Sequence, residues 1–283
     1  MSSPKPLLPP SAYHVRQPPT SGAFLRWAGS KRKTLPRLMA TVHPEFDRYV
    51  EPFAGSACLF FELKPSKAVL SDINEDLIST YLQVRDSTAA VARALMRIPT
   101  TSRSYYAIRA QDTSSLTPIQ RAARFIFLNR FCFNGLYRTN LNGKFNVPFG
   151  GKRCGLVPSL EKLRECAKAL RHASIFARPF EETLELVRVG DFVYLDPPYC
   201  IKSRRVFNAY SNASFGPDQL LTLKHHLHRV DRLGVPFLVS YGHSREALEL
   251  AKGFRVSHLV VQRQIAGFAA KRRIAREIII TNY

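Results

Sequence analysis

The pattern of apolar and polar positions along the chain predicts an α/β protein. Short apolar runs bounded by turn residues are typical of strands, whereas longer stretches with apolar residues three and four apart are typical of helices. The predicted strands cover 48–53, 67–70, 174–176, 192–195, 236–240, 254–262 and 276–282. Helices are predicted from residue 30 to about 42, throughout 75–130, and at 58–63, 159–171, 217–233 and 244–251. Strands that alternate with helices in this way build a sheet covered by helices.

One predicted strand ends abruptly in residues suited to chemistry. The apolar run 192–195 is followed by Asp196, Pro197, Pro198 and Tyr199. A residue before proline is kept out of the helical conformation, so Asp196 is expected to be extended at the strand end. Because neither proline carries an amide N–H, the turn offers carbonyl oxygens, and Tyr199 offers a flat ring for stacking.

This group matches what methylation of the exocyclic amine of adenine requires. The lone pair of that amine is delocalised into the ring, so the nitrogen is a poor nucleophile. The Asp196 carboxylate and the Pro197 carbonyl can accept both N–H groups of one planar –NH2, which lets the nitrogen become pyramidal. The alternative is an ordinary strand that ends in an Asp-Pro turn, and this stretch alone does not distinguish the two interpretations.

The first predicted crossover has the features of a nucleotide-binding unit. A strand runs into the small-residue turn Ala54-Gly55-Ser56-Ala57 and then into an apolar helix. Asp72 ends the next strand about 17 residues after Gly55, near the spacing at which an acid binds ribose hydroxyls. Upstream, the stretch 27–31 ends in Lys31 at a predicted helix start, which can hold an anionic group or be a plain helix cap.

Residues 133–150 predict a protruding β-hairpin whose turn is Leu141-Asn142-Gly143-Lys144. Basic and aromatic residues interleave along it and just beyond, as in surfaces that hold phosphates and stack on bases. The basic residues are Arg138, Lys144, Lys152 and Arg153, and the aromatic ones are Phe133, Tyr137, Phe145 and Phe149. A hairpin packed on its own aromatic rings is the alternative, and the overall charge favours nucleic acid.

The charge of the chain is its most unusual bulk property. In 283 residues, 42 Lys and Arg against 21 Asp and Glu leave a formal net charge of +21. Such a field implies a polyanionic partner, of which nucleic acid is the first candidate. A merely basic protein and a binder of membrane surfaces are the alternatives, but no long basic amphipathic helix supports the second. No obligatory protein partner is evident.

Cysteine usage and targeting signals indicate a cytoplasmic protein. The five cysteines are scattered and form no C-x-x-C pair, as expected of free thiols in a reducing compartment. No signal peptide or membrane span is visible. We expect no metal site: His225, His226 and His228 fit the polar face of a surface helix better than a set of ligands.

Three segments are expected to lie outside the regular sheet. Residues 1–22 contain six prolines, and this composition indicates a disordered leader. The polar loop around 207–210 could close over a substrate. The basic loop 269–273 either contacts phosphate or is simply solvated.

With these pieces in place, the chain resembles the DNA adenine methyltransferase (Dam) family, α-type amino-methyltransferases with a DPPY motif. The resemblance runs from residue 24 to the C-terminus and rests on five blocks: 27–31, 49–53 with Gly55, 71–74, 129–150 and 196–199. Their order also fits the family, with the methyl-donor motif first, then the DNA-recognition insertion, then the catalytic motif.

The resemblance implies a fold and a reaction. The fold is a Rossmann-like methyltransferase sheet with an inserted, mostly helical DNA-recognition domain that carries a β-hairpin. The implied domains are a catalytic domain of 23–75 and 160–283 and a target-recognition domain of 76–159. The implied reaction is site-specific methylation of N6 of a flipped adenine in duplex DNA, with S-adenosylmethionine as donor and GATC as the expected site.

The resemblance also implies roles for individual residues. The catalytic residues are Asp196, Pro197, Pro198 and Tyr199. The residues that contact the donor are Trp27, Lys31, Glu51, Phe53, Gly55, Asp72 and Asp196. The residues that wedge into or read the DNA are Phe133, Asn134, Leu136, Arg138 and Pro148.

The chain departs from the family pattern at two places, and three other functions remain as alternatives. The donor turn has a single glycine, Gly55, and Tyr241-Gly242-His243 stands where the family often has an Asn-containing loop. Enzymes of the same fold methylate adenine in RNA or a protein glutamine, and a homologue that binds DNA without catalysis is the third possibility. The hairpin argues against the first two, and intact Lys31, Asp72 and Asp196 argue against the third.

Overall fold

The structure is a computed structural model that describes residues 22–27, 29–140, 142–200, 215–264 and 272–283. Its centre is a seven-stranded sheet in the order β3-β2-β1-β4-β5-β7-β6. The strands are β1 (Arg48–Glu51), β2 (Ala68–Asp72), β3 (Ala173–Ala177), β4 (Asp191–Leu195), β5 (Phe237–Gly242), β6 (Arg255–Gln264) and β7 (Arg272–Thr281). The helices are α1 (Leu35–Met39), α2 (Cys58–Leu63), α3 (Glu75–Met96), α4 (Ser102–Ala110), α5 (Pro118–Phe131), α6 (Leu160–Leu170), α7 (Phe180–Glu185), α8 (Pro217–Arg232) and α9 (Arg245–Leu250).

The directions of the strands bring several strand ends together at one edge of the sheet. Strands β1 to β5 are parallel, and β7 joins β5 antiparallel. The order reverses between β1 and β4, because the chain runs outward from β1 through β2 and β3 before it returns. Ligands of doubly wound sheets bind at the carboxyl ends of the strands at such a reversal. The α/β class and the Rossmann-like sheet are therefore confirmed.

Side-chain alternation along the buried strands builds a core on each face of the sheet. In β4, Phe192 and Tyr194 pack into one apolar cluster, and Val193 and Leu195 pack into the other. This continuous apolar run is typical of a central parallel strand covered on both sides. In the described part of the chain, none of the helices is long and apolar enough to cross a membrane.

Several predicted boundaries were wrong near turns. The helix predicted from residue 30 to about 42 is a 3-10 turn, Lys31–Lys33, followed by the short α1. Pro36 lies in the first turn of α1, where a missing N–H costs nothing, so the α-helix begins there. Helix α7 has six residues and was missed, because so short a segment shows no helical period.

The predicted β-hairpin at 133–150 is not a regular ladder. In its described residues, pairing is confined to two isolated bridges, Thr139 to Phe145 and Cys132 to Phe149. The side chain of Asn140 accepts hydrogen bonds from the backbone N–H groups of Asn142 and Lys144 at the turn. Two backbone hydrogen bonds, from the N–H of Asn140 to the carbonyl of Lys144 and from the N–H of Asn146 to the carbonyl of Arg138, still join the two arms. Leu141 lies outside the described residues. The division into catalytic and recognition domains stays a prediction.

Candidate active site

An ion pair between Lys31 and Asp196 lies at the carboxyl end of β4. The Nζ atom of Lys31 is 2.8 Å from Oδ1 of Asp196, and the Lys31 side chain is 5% exposed. The hydroxyl of Ser240, from neighbouring β5, donates to the same Oδ1 at 3.0 Å. Since both contacts fall on Oδ1, the described residues leave Oδ2 of Asp196 open as an acceptor.

The charge of Asp196 depends on this pair. Burial raises the pKa of Asp196, and the adjacent Lys31 and its hydrogen bond act in the opposite direction. The pKa of Lys31 is in turn raised, because attraction to Asp196 and other neighbours outweighs burial. Lys31 therefore keeps its ammonium form and favours the carboxylate form of Asp196.

The turn after Asp196 is braced from β5. The Tyr241 hydroxyl donates to the carbonyl of Pro198 at 3.3 Å and accepts the backbone N–H of Cys200 at 2.6 Å. The Tyr199 ring packs edge-on against Tyr241, with 5.3 Å between ring centroids, and is 36% exposed. A β-carbon at Gly242 would approach that ring to 3.1 Å. Tyr241 and Gly242, which depart from the family pattern, thus both contact the turn after Asp196: Tyr241 by hydrogen bonds, and Gly242 because it has no side chain beside the Tyr199 ring.

Glu51 and Phe53 close the carboxyl end of β1. Glu51 is buried and accepts a hydrogen bond from the Tyr49 hydroxyl at 3.0 Å. Burial holds the pKa of Glu51 well above its usual range. The Phe53 ring stacks on Phe180 at 5.1 Å and meets Phe215 edge-on at 6.0 Å. This end of the sheet therefore offers an apolar wall beside a carboxyl group that favours its neutral form.

Asp72 holds the glycine turn in place. Its Oδ2 accepts the N–H of Gly55 at 2.9 Å, and its Oδ1 accepts the N–H of Asn74 at 3.0 Å. Burial raises the pKa of Asp72, and these backbone N–H groups oppose the rise. The Tyr81 hydroxyl donates to the carbonyl of Gly55 from the other side. Asp72 therefore ends β2 beside the glycine turn, as its spacing from Gly55 predicts, and its carboxylate also holds the conformation of that turn.

Trp27 packs directly on that turn. Gly55 has φ +46°, and a β-carbon there would lie 2.9 Å from Cδ1 of Trp27. The Trp27 ring also stacks on Tyr137, with 5.9 Å between centroids and 17° between planes, and on Phe125 at 6.4 Å. The Tyr137 hydroxyl donates to Asp76 at 3.0 Å. Trp27 thus connects the glycine turn with the 133–150 segment.

The predicted DNA-reading residues lie together in the segment after α5. Asn134 has a left-handed backbone, with φ +56°. Leu136 and Phe133 are partly buried against the core, and the carbonyl of the exposed Pro148 accepts the N–H of Phe133. The Nε atom of Arg138 donates to Oδ1 of Asn146 at 2.7 Å, and within the described ranges its terminal nitrogens make no hydrogen bond.

Two residues that contact the site were missed from the sequence, Ser240 and Glu277, and Tyr241 was named only as a departure from the family pattern. Ser240 is a polar residue inside the otherwise apolar β5, FLVSYG, and Glu277 directly precedes the apolar run 278–280 of β7. A polar residue within or beside an apolar run of a strand can indicate a site residue, since a buried polar group needs a hydrogen-bonding or charged partner. Glu277 is 4% exposed and lies 3.7 Å from Lys31.

Other predicted features lie away from this cluster or outside the described residues. His225, His226 and His228 lie on α8 and, with Arg229 and Arg232, line an open cleft of about 500 Å³. Among the residues described, no group of His, Cys, Asp or Glu is arranged to hold a metal. The leader through residue 21, the loop 207–210 and residues 265–271 are outside the description. Residues 272 and 273 of the predicted basic loop belong to β7.

Comparison with known proteins identifies the family of this site. Residues 27–265 match the sequence profile of the D12 class of N6 adenine-specific DNA methyltransferases. The chain belongs to this family. A D12 methyltransferase acts on an exocyclic amine, which is the group that the Asp196-Pro197 turn is suited to hold. The predicted resemblance is confirmed.

Several curated proteins are similar over nearly their whole length. The type II methyltransferase M1.LlaDCHI of Lactococcus lactis subsp. cremoris is 32% identical over 269 residues, which cover 92% of this chain and 95% of that protein. The DNA adenine methylase of Escherichia coli strain K12 is 32% identical over 263 residues, with 91% and 94% covered. The type II methyltransferase M.MjaIII of Methanocaldococcus jannaschii is 30% identical over 284 residues, with 92% and 98% covered.

Proposed function

We propose that this D12 methyltransferase transfers a methyl group from S-adenosylmethionine to N6 of an adenine that has been flipped out of duplex DNA. The observation that supports this most is the arrangement at Asp196. Its Oδ1 is occupied by Lys31 and Ser240, so Oδ2 and the adjacent Pro197 carbonyl form a pair of acceptors for one –NH2 group. Two acceptors match the two N–H groups of adenine N6.

The protein's part in the reaction is to hold and polarise that amine. When both N–H groups are held, the nitrogen lone pair points away from the acceptors and out of the plane of the ring. Tyr199, braced by Tyr241, supplies the face on which the base stacks. Alignment of the amine with the methyl group supplies much of the acceleration, as proximity does in other bimolecular reactions. Asp196 need not act as a strong base, because the methylated nitrogen is acidic enough to lose its proton to water.

The residues near Asp72 fit the proposed donor. Asp72 ends β2 beside a turn whose glycine allows no β-carbon, and Phe53 supplies an apolar wall. We propose that Trp27, Lys31, Glu51, Phe53, Gly55, Asp72 and Asp196 line the donor pocket. S-adenosylmethionine would supply an electrophilic methyl group on a sulfonium, so no metal is required for this chemistry.

The segment after α5 is the proposed DNA reader. Adenine in a duplex is inaccessible, and flipping it costs a few kcal/mol. Phe133, Asn134, Leu136 and Pro148 are proposed to wedge into the helix, and Arg138 to read a base edge. Asn146 fixes Nε of Arg138, so the terminal nitrogens are presented in a defined direction. The proposed site is GATC.

A substrate comparison tests this function. Purified protein is incubated with labelled S-adenosylmethionine and, separately, with GATC duplex DNA, single-stranded RNA and a mixed protein substrate. The expected result is N6-methyladenine in the duplex alone, with no transfer by Asp196→Ala. Asp86→Ala, which changes a surface aspartate paired with Arg85, is the matched control and should retain activity. Transfer to RNA or protein and not to duplex DNA would contradict the proposal.

A further inference from the structure

The hydroxyl group of Ser240 lies between two partners, Tyr194 and Asp196. It donates to Oδ1 of Asp196 at 3.0 Å, and its oxygen is 3.0 Å from the Tyr194 hydroxyl. Ser240 is 1% exposed and Tyr194 is 2% exposed. Buried hydroxyl groups need hydrogen-bond partners, and the chain of three side chains gives a partner to each of them.

The direction of these hydrogen bonds follows from the number of hydrogens. A serine hydroxyl has one hydrogen to donate, and an ionised carboxylate can only accept. Because Ser240 donates to Asp196, Tyr194 has to donate to Ser240. Burial raises the pKa of Tyr194 well above its usual range, so the phenol keeps the hydrogen that it donates. The hydrogen bonds therefore run from Tyr194 through Ser240 to Asp196.

Strand pairing places the three side chains on one face of the sheet. In the parallel pairing of β4 with β5, Tyr194 lies opposite Leu238. Side chains two apart along a strand share a face, so Asp196 follows Tyr194 and Ser240 follows Leu238 on that face. Tyr194 and Leu238 pack into the same apolar cluster. Two neighbouring central strands thus hold the carboxylate and the hydroxyl group that binds it.

Lys31 and Ser240 bind the same oxygen of Asp196 in different ways. Lys31 reaches Oδ1 through a flexible four-carbon side chain, and its ammonium could follow either oxygen if the carboxylate rotated. Ser240 has a short side chain on a central strand, and Tyr194 occupies the other side of its hydroxyl group. Ser240 therefore favours one rotation of the carboxylate, whereas Lys31 mainly supplies charge.

We propose that Ser240 is a positioning residue, held in turn by Tyr194, that fixes the rotation of the Asp196 carboxylate so that Oδ2 faces the amine of the substrate. The inference rests on the proposed function, which makes Oδ2 an acceptor for adenine N6. A carboxylate held in this way meets the amine without first having to reorient. Ser240 and Tyr194 act through Asp196 and do not themselves contact the reacting atoms.

Kinetics of the full chain test the role of Ser240. Ser240→Ala should lower the single-turnover rate of methyl transfer to GATC duplex about tenfold or more, because misplacing a reacting group by about 1 Å can cost a factor of about 10². Affinities for S-adenosylmethionine and for the duplex should stay within about twofold, since the interaction serves the transition state. Ser257→Ala, at an exposed position of the edge strand β6, is the control and should change none of these values.

A pH profile gives a readout that a purely structural role would not move. The hydrogen bond from Ser240 lowers the pKa of Asp196, so its loss should raise that pKa. Since the carboxylate form is the acceptor, the rate falls as the pH drops through the pKa, and the acid limb of Ser240→Ala should move to higher pH. The other groups that act on the charge of Asp196 stay in place: Lys31, Glu51, Tyr194 and Glu277.

A double-mutant cycle tests the part assigned to Tyr194. Tyr194→Phe keeps the ring and removes the hydroxyl group, so the rate should fall about threefold. In a Ser240→Ala background the same change should have almost no further effect, since Tyr194 acts only through Ser240. Tyr283→Phe is the matched control, because it removes a hydroxyl group that donates to the carbonyl of Thr41 and lies beyond the end of β7 that pairs with the start of β5.

The role of Ser240 is wrong if folded Ser240→Ala transfers methyl at the wild-type rate with an unmoved acid limb. Equal losses from Tyr194→Phe in both backgrounds would contradict the part assigned to Tyr194. Should Ser240→Ala fail to fold, Tyr194→Phe decides, because an unchanged rate in that variant contradicts the proposed chain of hydrogen bonds. A wild-type chain that forms no N6-methyladenine in duplex DNA contradicts the proposed function instead, so the two failures are distinguishable.

Discussion

The buried ammonium of Lys31 forms an ion pair with the half-buried carboxylate of Asp196, with 2.8 Å between Nζ and Oδ1. Lys31 begins the 3-10 turn before α1, and Asp196 directly follows β4, so the pair joins an N-terminal segment to the turn 196–199. The same oxygen also receives the Ser240 hydroxyl. Among the described residues, these contacts thus leave Oδ2 of Asp196 for the proposed amine, and Lys31 favours the ionised form of the carboxyl group.

Replacement of Lys31 should shift the pH dependence of methyl transfer. Lys31 lowers the pKa of Asp196, so Lys31→Met should raise that pKa. Protonation removes an acceptor, so the rate falls as the pH drops through the pKa, and the acid limb should move to higher pH. The rate at neutral pH should fall about tenfold or more. Lys33→Met, at an exposed position in the same turn, is the control. An acid limb that stays in place would show that Lys31 does not set the charge of Asp196.

Replacement of Asp72 should weaken donor binding specifically. Asp72→Ala removes a carboxylate that holds the Gly55 turn and that is proposed to bind ribose, so affinity for S-adenosylmethionine should fall by about 1.5–3 kcal/mol. Calorimetry measures this loss. DNA affinity without donor should barely change. Unchanged donor affinity would mean that the donor binds elsewhere.

The contact between Trp27 and Tyr137 should couple the DNA-reading segment to the donor turn. Trp27 is the single tryptophan of the chain, so its fluorescence reports on this junction. Tyr137→Ala removes the stacked ring and should reduce the effect of DNA on donor affinity, measured by titration with and without duplex. Tyr137→Phe keeps the ring and loses only the bond to Asp76, so it should behave nearly as the wild type. Equal effects of both variants would rule out the stack as the coupling contact.

Arg138 and Lys152 should affect DNA recognition in different ways. A bidentate arginine–guanine contact contributes about 1–3 kcal/mol of discrimination. Arg138→Ala should therefore lower the ratio of methylation on GATC and one-base-changed duplexes. Lys152 is exposed beyond the segment, and Lys152→Ala should weaken binding to both duplexes alike and reduce the salt slope by roughly one unit. If Arg138→Ala depresses both substrates equally, Arg138 contacts phosphate and specificity lies elsewhere.

The sequence predicts the site residues whose positions follow from the succession of strands and turns along the chain. Asp196, Asp72 and Lys31 stand at strand ends and at a turn, and parallel strands bring such ends to one edge of the sheet. Glu277 could not be placed in the same way, since its contact with Lys31 depends on the register of β7 on β5. Register and the last strand's position are tertiary features. Likewise, the turn residues predict the hairpin at 140–144, but they do not predict that the side chain of Asn140, and not its carbonyl, accepts the N–H of Lys144.

The most direct test of the account is single-turnover methyl transfer by Asp196 variants, with DNA affinity measured in parallel. Asp196→Ala should show no transfer to GATC duplex above background, while DNA binding is largely retained because phosphate contacts dominate affinity. Asp196→Asn keeps one acceptor oxygen and should be slowed by about 10²–10³. N6-methyladenine formed by Asp196→Ala at near-normal rate would contradict the assignment of Asp196 and the mechanism built on it.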